Sequence, residues 1–191
     1  HTGGPRFMAK LYQNSMAIVR YLGKPSLFIT FTANPKWKEI EDALLPGQKA
    51  SDRPDLVARV FNLEVKELLK DIKEKKIFGS YNGLVRTIEY QKRGLPHMHL
   101  LLFLDHSLAI NTVQQIDEVI SAEIPCKAQD PELYNIVTRS MVHGPCGDLN
   151  PDSLCMVADK NGVKRCSKRF PKPLCDVTRY HEDGYPDYKR S

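Results

Sequence analysis

The chain has 191 residues, 41% hydrophobic and 27% charged, with a formal net charge of +5 and a pI near 8.9. That mixture suits one globular domain of ordinary size with a small appendage, able to bury a core. No stretch approaches the roughly 18 to 20 consecutive apolar residues of a helical membrane span, so no membrane partner is expected.

The positive charge is a mild pointer to a polyanionic partner, and it is unevenly placed. From Lys160 onward there are nine Lys/Arg against four Asp/Glu, so most of the excess lies in the tail. The opening, "HTGGPRF", has no secretory signal and no initiating Met, which reads as a piece of a longer protein. Five cysteines cluster between Cys126 and Cys175. Without a secretory signal, reduced thiols or a metal site are expected rather than disulfides.

In chain order, "PRFMAKLYQNSMAIVRYL" (Pro5–Leu22) predicts a helix, with Pro5 in the first turn and Gly23 and Pro25 ending it. "SLFITFT" (Ser26–Thr32) is β-branched and aromatic and predicts a buried strand closed by Asn34-Pro35. The stretch 51–76 predicts a long helix with Asp52 as cap and Pro54 in the first turn. Its expected apolar stripe is Leu56, Val60, Leu63, Leu68, Leu69 and Ile72. After Gly79 and Gly83, "LVRTIEYQ" (Leu84–Gln91) and "HMHLLLFL" (His97–Leu104) read as strands around a short "KRGLP" turn. Helices are expected over Thr112–Glu123, with Val113, Ile116, Val119 and Ile120 on one face, and over Pro131–Val142. Beyond His143, Gly, Pro, Cys and basic residues replace periodicity. A boundary is placed near 125–140, giving a domain over 1–140 and a Cys/His-rich basic segment over 141–191. The order α, β, α, β, β, α predicts an α+β fold, a sheet packed against helices, followed by an irregular Cys-rich segment.

The two strands flanking the turn raise a chemical question, because His97 and His99 share a face at the start of an otherwise apolar strand. A hairpin with Lys92–Pro96 as its connection pairs Gln91 with His97 and Glu89 with His99. Directly opposed side chains on an antiparallel pair stand about 5 Å apart on one face. The expected patch is therefore His97, His99, Glu89 and Gln91, with Tyr90, Ile88 and Met98 on the reverse. Two imidazoles with a carboxylate and an amide oxygen suit Mn²⁺ or Mg²⁺ with water at open positions, or Zn²⁺. The alternative is a His-x-His surface decoration, and a one-residue slip in register would disperse the patch.

"TIEYQKRGLPHMHLLLFL" closely resembles the HUH-type nuclease motif of Helitron transposases, rolling-circle proteins with an initiator domain ahead of a helicase. "GGPRFM", "MAIVRYLGKPSLFITFTANPKWKEI" and "DRPDLVARVF" resemble the N-terminal region of that family, as do "MVHGPCG", "CSKRFPKP" and "GYPDY" further on. The resemblance implies an HUH-nuclease-like antiparallel sheet with the His-x-His strand at its centre. It also implies a divalent ion that polarises a scissile phosphate in single-stranded DNA. A tyrosine then attacks, leaving a 5′-phosphotyrosyl link and a free 3′-hydroxyl. By position, His97 and His99 become metal ligands, with Glu89 or Gln91 as the third. Thr30 and Thr32, in a segment resembling the family's first motif, would line the DNA path. Lys92 and Arg93, in the turn, would contact DNA. The partners implied are single-stranded DNA and a helicase domain in the same parent chain, and the nucleus is the expected compartment.

The family's nucleophilic tyrosines lie on a later helix in a Lys/Tyr-rich motif, and that motif is not found here. Tyr180, Tyr185 and Tyr188 lie in "RYHEDGYPDYKR", where Gly184 and Pro186 disfavour a helix. Tyr185 and Tyr188 remain weak candidates for the nucleophile; the resemblance places them ahead of the true one. No GxxxxGK[ST] phosphate loop is present, so no helicase motor is expected.

The tail carries His143-x2-Cys146-x8-Cys155-x10-Cys166, a set that would complete a tetrahedral structural zinc site. Cys126 and Cys175 receive no role. The run "KNGVKRCSKRFPKP" (Lys160–Pro173) would track a phosphate backbone through Lys168 and Arg169, with Phe170 as a stacking platform; a solvated loop is the alternative. Two functional readings follow. One is the metal-binding part of an HUH endonuclease whose parent nicks and transfers DNA strands. The other is a non-catalytic single-strand-binding remnant of a decayed transposon protein. A histidine-triad phosphohydrolase is disfavoured because a third alternating histidine would fall at Leu101.

Overall fold

A computed structural model describes residues 3–91, 94–108, 110–180 and 186–191. The chain divides into two compact units, His1–Ile110 and Asn111–Ser191. The sequence-based boundary near 125–140 lies within the second of these.

In the first unit, α1 (Pro5–Leu22) starts with proline at its first position and ends on Gly23 at φ 81°, where a side chain would be strained. β1 (Leu27–Thr32) follows, and the Asn34 side chain accepts from Lys36 N to turn the chain into the short α2 (Lys38–Glu41). α3 (Pro54–Lys73) is the long helix. Asp52 does not cap it. Its carboxylate accepts from Lys49 N at 2.8 Å, closing a preceding 3-10 turn, and Arg53 takes the cap position. The buried stripe of α3 is Val57, Val60, Phe61, Val65, Leu69 and Ile72, each three or four residues from another member, as on one helix face. Leu63, expected in that stripe, is instead 58% exposed, because it lies two residues past Phe61 and so falls on the far side.

β2 (Tyr81–Tyr90) and β3 (Pro96–Leu104) complete a three-stranded antiparallel sheet in the order β1-β3-β2. The His-x-His strand is central. Side chains alternate between faces with a period of two. One face carries Leu27, Ile29 and Phe31 beside Met98, Leu100 and Leu102. Met98, Leu100 and Leu102 are fully buried. Phe31 stacks on Phe61 of α3 and on Trp37, each with ring centroids 5.8 Å apart. The other face carries Phe28, Thr30 and Thr32, then His97 and His99, then Thr87 and Glu89.

The hairpin register departs from the sequence expectation. Glu89 pairs with His97, and Thr87 with His99. Pro96 enters the strand opposite Tyr90 as its first residue, a position where its missing N–H costs no ladder bond. The turn therefore spans Gln91–Leu95. Gln91 N donates to Leu95 O at 3.0 Å and Gly94 N to Gln91 O at 2.7 Å. The shift is two residues, so every side chain keeps its expected face. Gln91 leaves the strand.

The second unit holds α4 (Val113–Val119), shorter than expected, with Thr112 and Gln115 forming a reciprocal capping box. α5 (Pro131–Ile136) is capped by Asp130 and runs into one turn of π-helix over Val137–Met141. Beyond it lie two small hairpins, β4 (Met156–Ala158) with β5 (Lys164–Cys166) and β6 (Arg179–Tyr180) with β7 (Pro186–Asp187). Thr178, 2% exposed, donates to Asp117 of α4 and accepts from Lys189 N at 2.9 Å.

Leu100→Ala should destabilise the first unit by about 2–5 kcal/mol, the cost of a core cavity. Leu63→Ala should stay within about 0.5 kcal/mol, as a surface change does. Urea unfolding of the two variants checks the assignment of the α3 stripe and sheet face.

Candidate functional site

The open face of the sheet brings His97, His99 and Glu89 together. One donor atom from each lies within 4.8 Å of the others. The alternation of β3 puts both imidazoles on the side away from α3, and pairing on both edges fixes their neighbours. His97 is the deepest, 9% exposed, with Nδ1 2.5 Å from Thr32 Oγ1 across the β1 ladder. His99 meets the Glu89 carboxylate, Nε2 to Oε1, at 3.0 Å. The two imidazoles stand edge to face with centroids 4.5 Å apart. Phe28 stacks on His99 at 5.4 Å and 9° while remaining 62% exposed to the open side.

His99 Nδ1 is buried and has no hydrogen-bond partner among the described residues. An orphaned buried nitrogen calls for an explanation such as a missing ion or water. Two imidazole nitrogens and one carboxylate oxygen, three donors on an open face, are a set that leaves coordination positions free. The donors present therefore fit a metal site with open coordination positions. Gln91, in the turn beyond the ladder, is not opposite either histidine. Thr30 and Thr32 share one strand face, which is also that of the histidines, with Thr32 in direct contact with His97. Lys92, Arg93 and Tyr185 lie outside the described residues. The sequence reading missed Phe28 and Thr32 as neighbours of the imidazoles. The alternation of "FITFT" held that information, but only the pairing partner reveals it.

The second unit gathers His143, Cys146, Cys155 and Cys166, again with one donor atom each within 4.8 Å of one another. The β4–β5 hairpin brings Cys155 and Cys166 together, because Met156 pairs with Cys166 and Ser167 N donates to Cys155 O at 2.7 Å. His143 Nε2 lies 3.5 Å from Cys166 Sγ. After Cys166 the chain turns tightly, with Arg169 N donating to Cys166 O at 2.9 Å and Arg169 itself in the left-handed region at φ 57°. Burial would raise the Cys166 thiol, yet backbone N–H groups of Phe170 and Lys168, with the neighbouring thiols, bring it down to about 6. Burial, then hydrogen bonds that the Cys146 thiol donates to Cys166 and Cys155, pushes the Cys146 thiol up to about 11. The two thiols thus shift in opposite directions, the division expected when several thiols crowd one point. Three sulfurs and an imidazole form a closed set of the kind that holds structural zinc.

Phe170, expected as a base platform, stacks on His143 at 4.3 Å and 10°, and the Lys172 ammonium lies 5.6 Å from its ring. Lys168 and Arg169 are exposed. Within the same basic run, Lys164 is paired with Asp152 and Arg165 with Asp159. Tyr188 is half-buried, and burial raises its phenol above the ordinary value.

These features define an α+β domain whose central strand helps gather His97, His99 and Glu89, a group that could hold a metal ion, followed by a unit containing a Cys₃His cluster. The profile of the family described as "Helitron helicase-like domain at N-terminus" matches residues 1–102, and the chain belongs to that family. No curated protein matches the chain. Among the described residues, no helix is long and apolar enough to cross a membrane.

Protein purified without chelator should carry a single equivalent of zinc, released to a colorimetric chelator after thiol modification. His143→Ala and Cys155→Ser should lose that zinc and unfold the 143–170 segment, whereas Cys126→Ser and Cys175→Ser should keep it.

Proposed function

We propose that this chain is the metal-binding, single-stranded-DNA-engaging part of a Helitron-type rolling-circle transposase. The observation that carries the reading is the convergence of His97, His99 and Glu89 on the open sheet face of a member of this family. A divalent ion held there, Mg²⁺ or Mn²⁺, would supply Lewis-acid polarisation of a phosphodiester oxygen. The chain's own residues do the rest of the binding. His97 and His99 contribute neutral nitrogens and Glu89 a negative oxygen, while the hydroxyls of Thr30 and Thr87 lie on the same face for phosphate or sugar contacts. Phe28 presents its outer ring face as a surface on which a base can stack. In the second unit, taken by itself, the exposed Lys168 and Arg169 offer positive charge for phosphate contacts.

Nicking and strand transfer belong to the full-length parent. The Tyr188 phenol, raised by burial, is a poor source of phenolate, and the family's Lys/Tyr-rich motif is not recognised in these residues. That observation also favours a second reading, a single-strand-binding remnant that does not cut. A nuclear location follows from action on chromosomal DNA.

The separating experiment incubates labelled single-stranded DNA bearing a transposon end with the protein in Mn²⁺, Mg²⁺ or chelator. On a native gel, metal-dependent retention of DNA by the wild type is expected. His97→Ala should lose more than the ~10–100-fold in metal affinity that outer-shell changes cost. DNA retention indifferent to chelator and to His97→Ala would remove the metal from the reading. A covalent adduct surviving SDS would overturn the second reading and assign a nucleophile to this chain. Neutralising Lys168 and Arg169 should lower the slope of log affinity against log salt by about 0.7 per lost phosphate contact.

A further inference from the structure

Thr32 occupies an exposed position at the end of β1, where strand propensity alone would accept valine equally well. Its hydroxyl is nonetheless 2.5 Å from His97 Nδ1. The backbone leaves this contact little freedom. Thr32 pairs with His97 in the ladder, and the next residue, Ala33, donates its N–H to Pro96 O at 3.0 Å. A neutral imidazole carries one N–H and one lone pair, and the hydrogen bond made by one nitrogen decides what the other offers.

We infer that Thr32 is a positioning residue that accepts a hydrogen bond from His97 Nδ1–H, fixing the tautomer in which Nε2 presents its lone pair to the metal. The inference rests on the metal reading above and deepens it by naming the ligating atom and the group that selects it. Nδ1 is committed to Thr32, so Nε2 is the nitrogen left for an ion. The opposite polarity, with the hydroxyl donating to Nδ1, would place the proton on Nε2 and block coordination. Because Thr32 is exposed, its own hydroxyl proton has water available as an acceptor. On the other flank of His97, Glu89 is the register partner, and its carboxylate reaches diagonally to His99 instead. The hydroxyl of β1 and the carboxylate of β2 thus serve different imidazoles.

The test uses the full chain as wild type, Thr32→Val and Thr32→Ser. Long-range nitrogen–proton NMR on metal-free protein at pH 8 reads the His97 tautomer, and Mn²⁺ titration followed by electron paramagnetic resonance reads affinity. The wild type should show the Nδ1–H tautomer. Thr32→Val, which keeps shape and branching, should show a mixture or the Nε2–H form and bind Mn²⁺ roughly 10–100-fold more weakly. Thr32→Ser should restore both. A wild type in the Nε2–H form, or a valine variant with unchanged tautomer and affinity, would overturn the role of Thr32 while leaving Mn²⁺ binding to stand. A wild type that binds no Mn²⁺ would instead overturn the metal reading, and the role of Thr32 toward an ion with it, whichever tautomer is seen.

Discussion

Pairing on both edges of β3 is the constraint from which the first unit's chemistry follows. A strand with one free edge can slide or tilt, whereas β3 is held by β1 and β2 at once. The strict two-residue alternation then leaves no choice about faces. Met98, Leu100 and Leu102 go under α3, and His97 and His99 go to the open side. Slipping by one residue would expose three large apolar side chains at about 1.5–3 kcal/mol each and bury two imidazoles against α3. The apolar half of the strand therefore holds the histidines in register.

This explains which parts of the site were legible in the sequence. The face occupied by His97, His99 and Glu89 depends on parity, and parity survives the two-residue difference between expected and observed register. Gln91 depended on the turn itself, where Pro96 joins the strand and releases Gln91 into the connection. Thr32 and Phe28 could be assigned to one face of β1 from alternation, but which imidazole each would touch required the β1–β3 offset, a long-range pairing that no local pattern encodes. The α3 stripe shows a related limit. Leu63 and Val65 are equally apolar, and only the exact angular position of the stripe separates the exposed one from the buried one.

The second unit is held by different forces. Among its described residues, the buried side chains are Ile116 and Thr178, far too few to offset the conformational entropy of some eighty residues at about 1–2 kcal/mol each. Cross-links must substitute for a core. The described contacts are the convergence of His143, Cys146, Cys155 and Cys166, the Asp117–Thr178–Lys189 bonds, and the grip of Glu123 on Ser191 N and Oγ at 2.9 and 2.6 Å. Sequence periodicity was uninformative here for that reason. Cysteine and histidine spacing carried the signal instead, because ligand atoms must converge whatever the backbone does between them.

The two clusters differ in a way that bears on function. His143 and the three cysteines already offer four donors, the number a tetrahedral ion takes, and Phe170 covers one face of the imidazole. An ion held by all four would have no position left for substrate, and its binding energy would go into folding. His97, His99 and Glu89 offer three donors on a face where Thr30, Thr87 and most of Phe28 remain in solvent. An ion there would keep positions open to a phosphate oxygen, and the rigid ladder beneath would prevent the ligands from closing around it. The two clusters thus differ in donor count and in exposure, a closed set of four in one and an open set of three in the other.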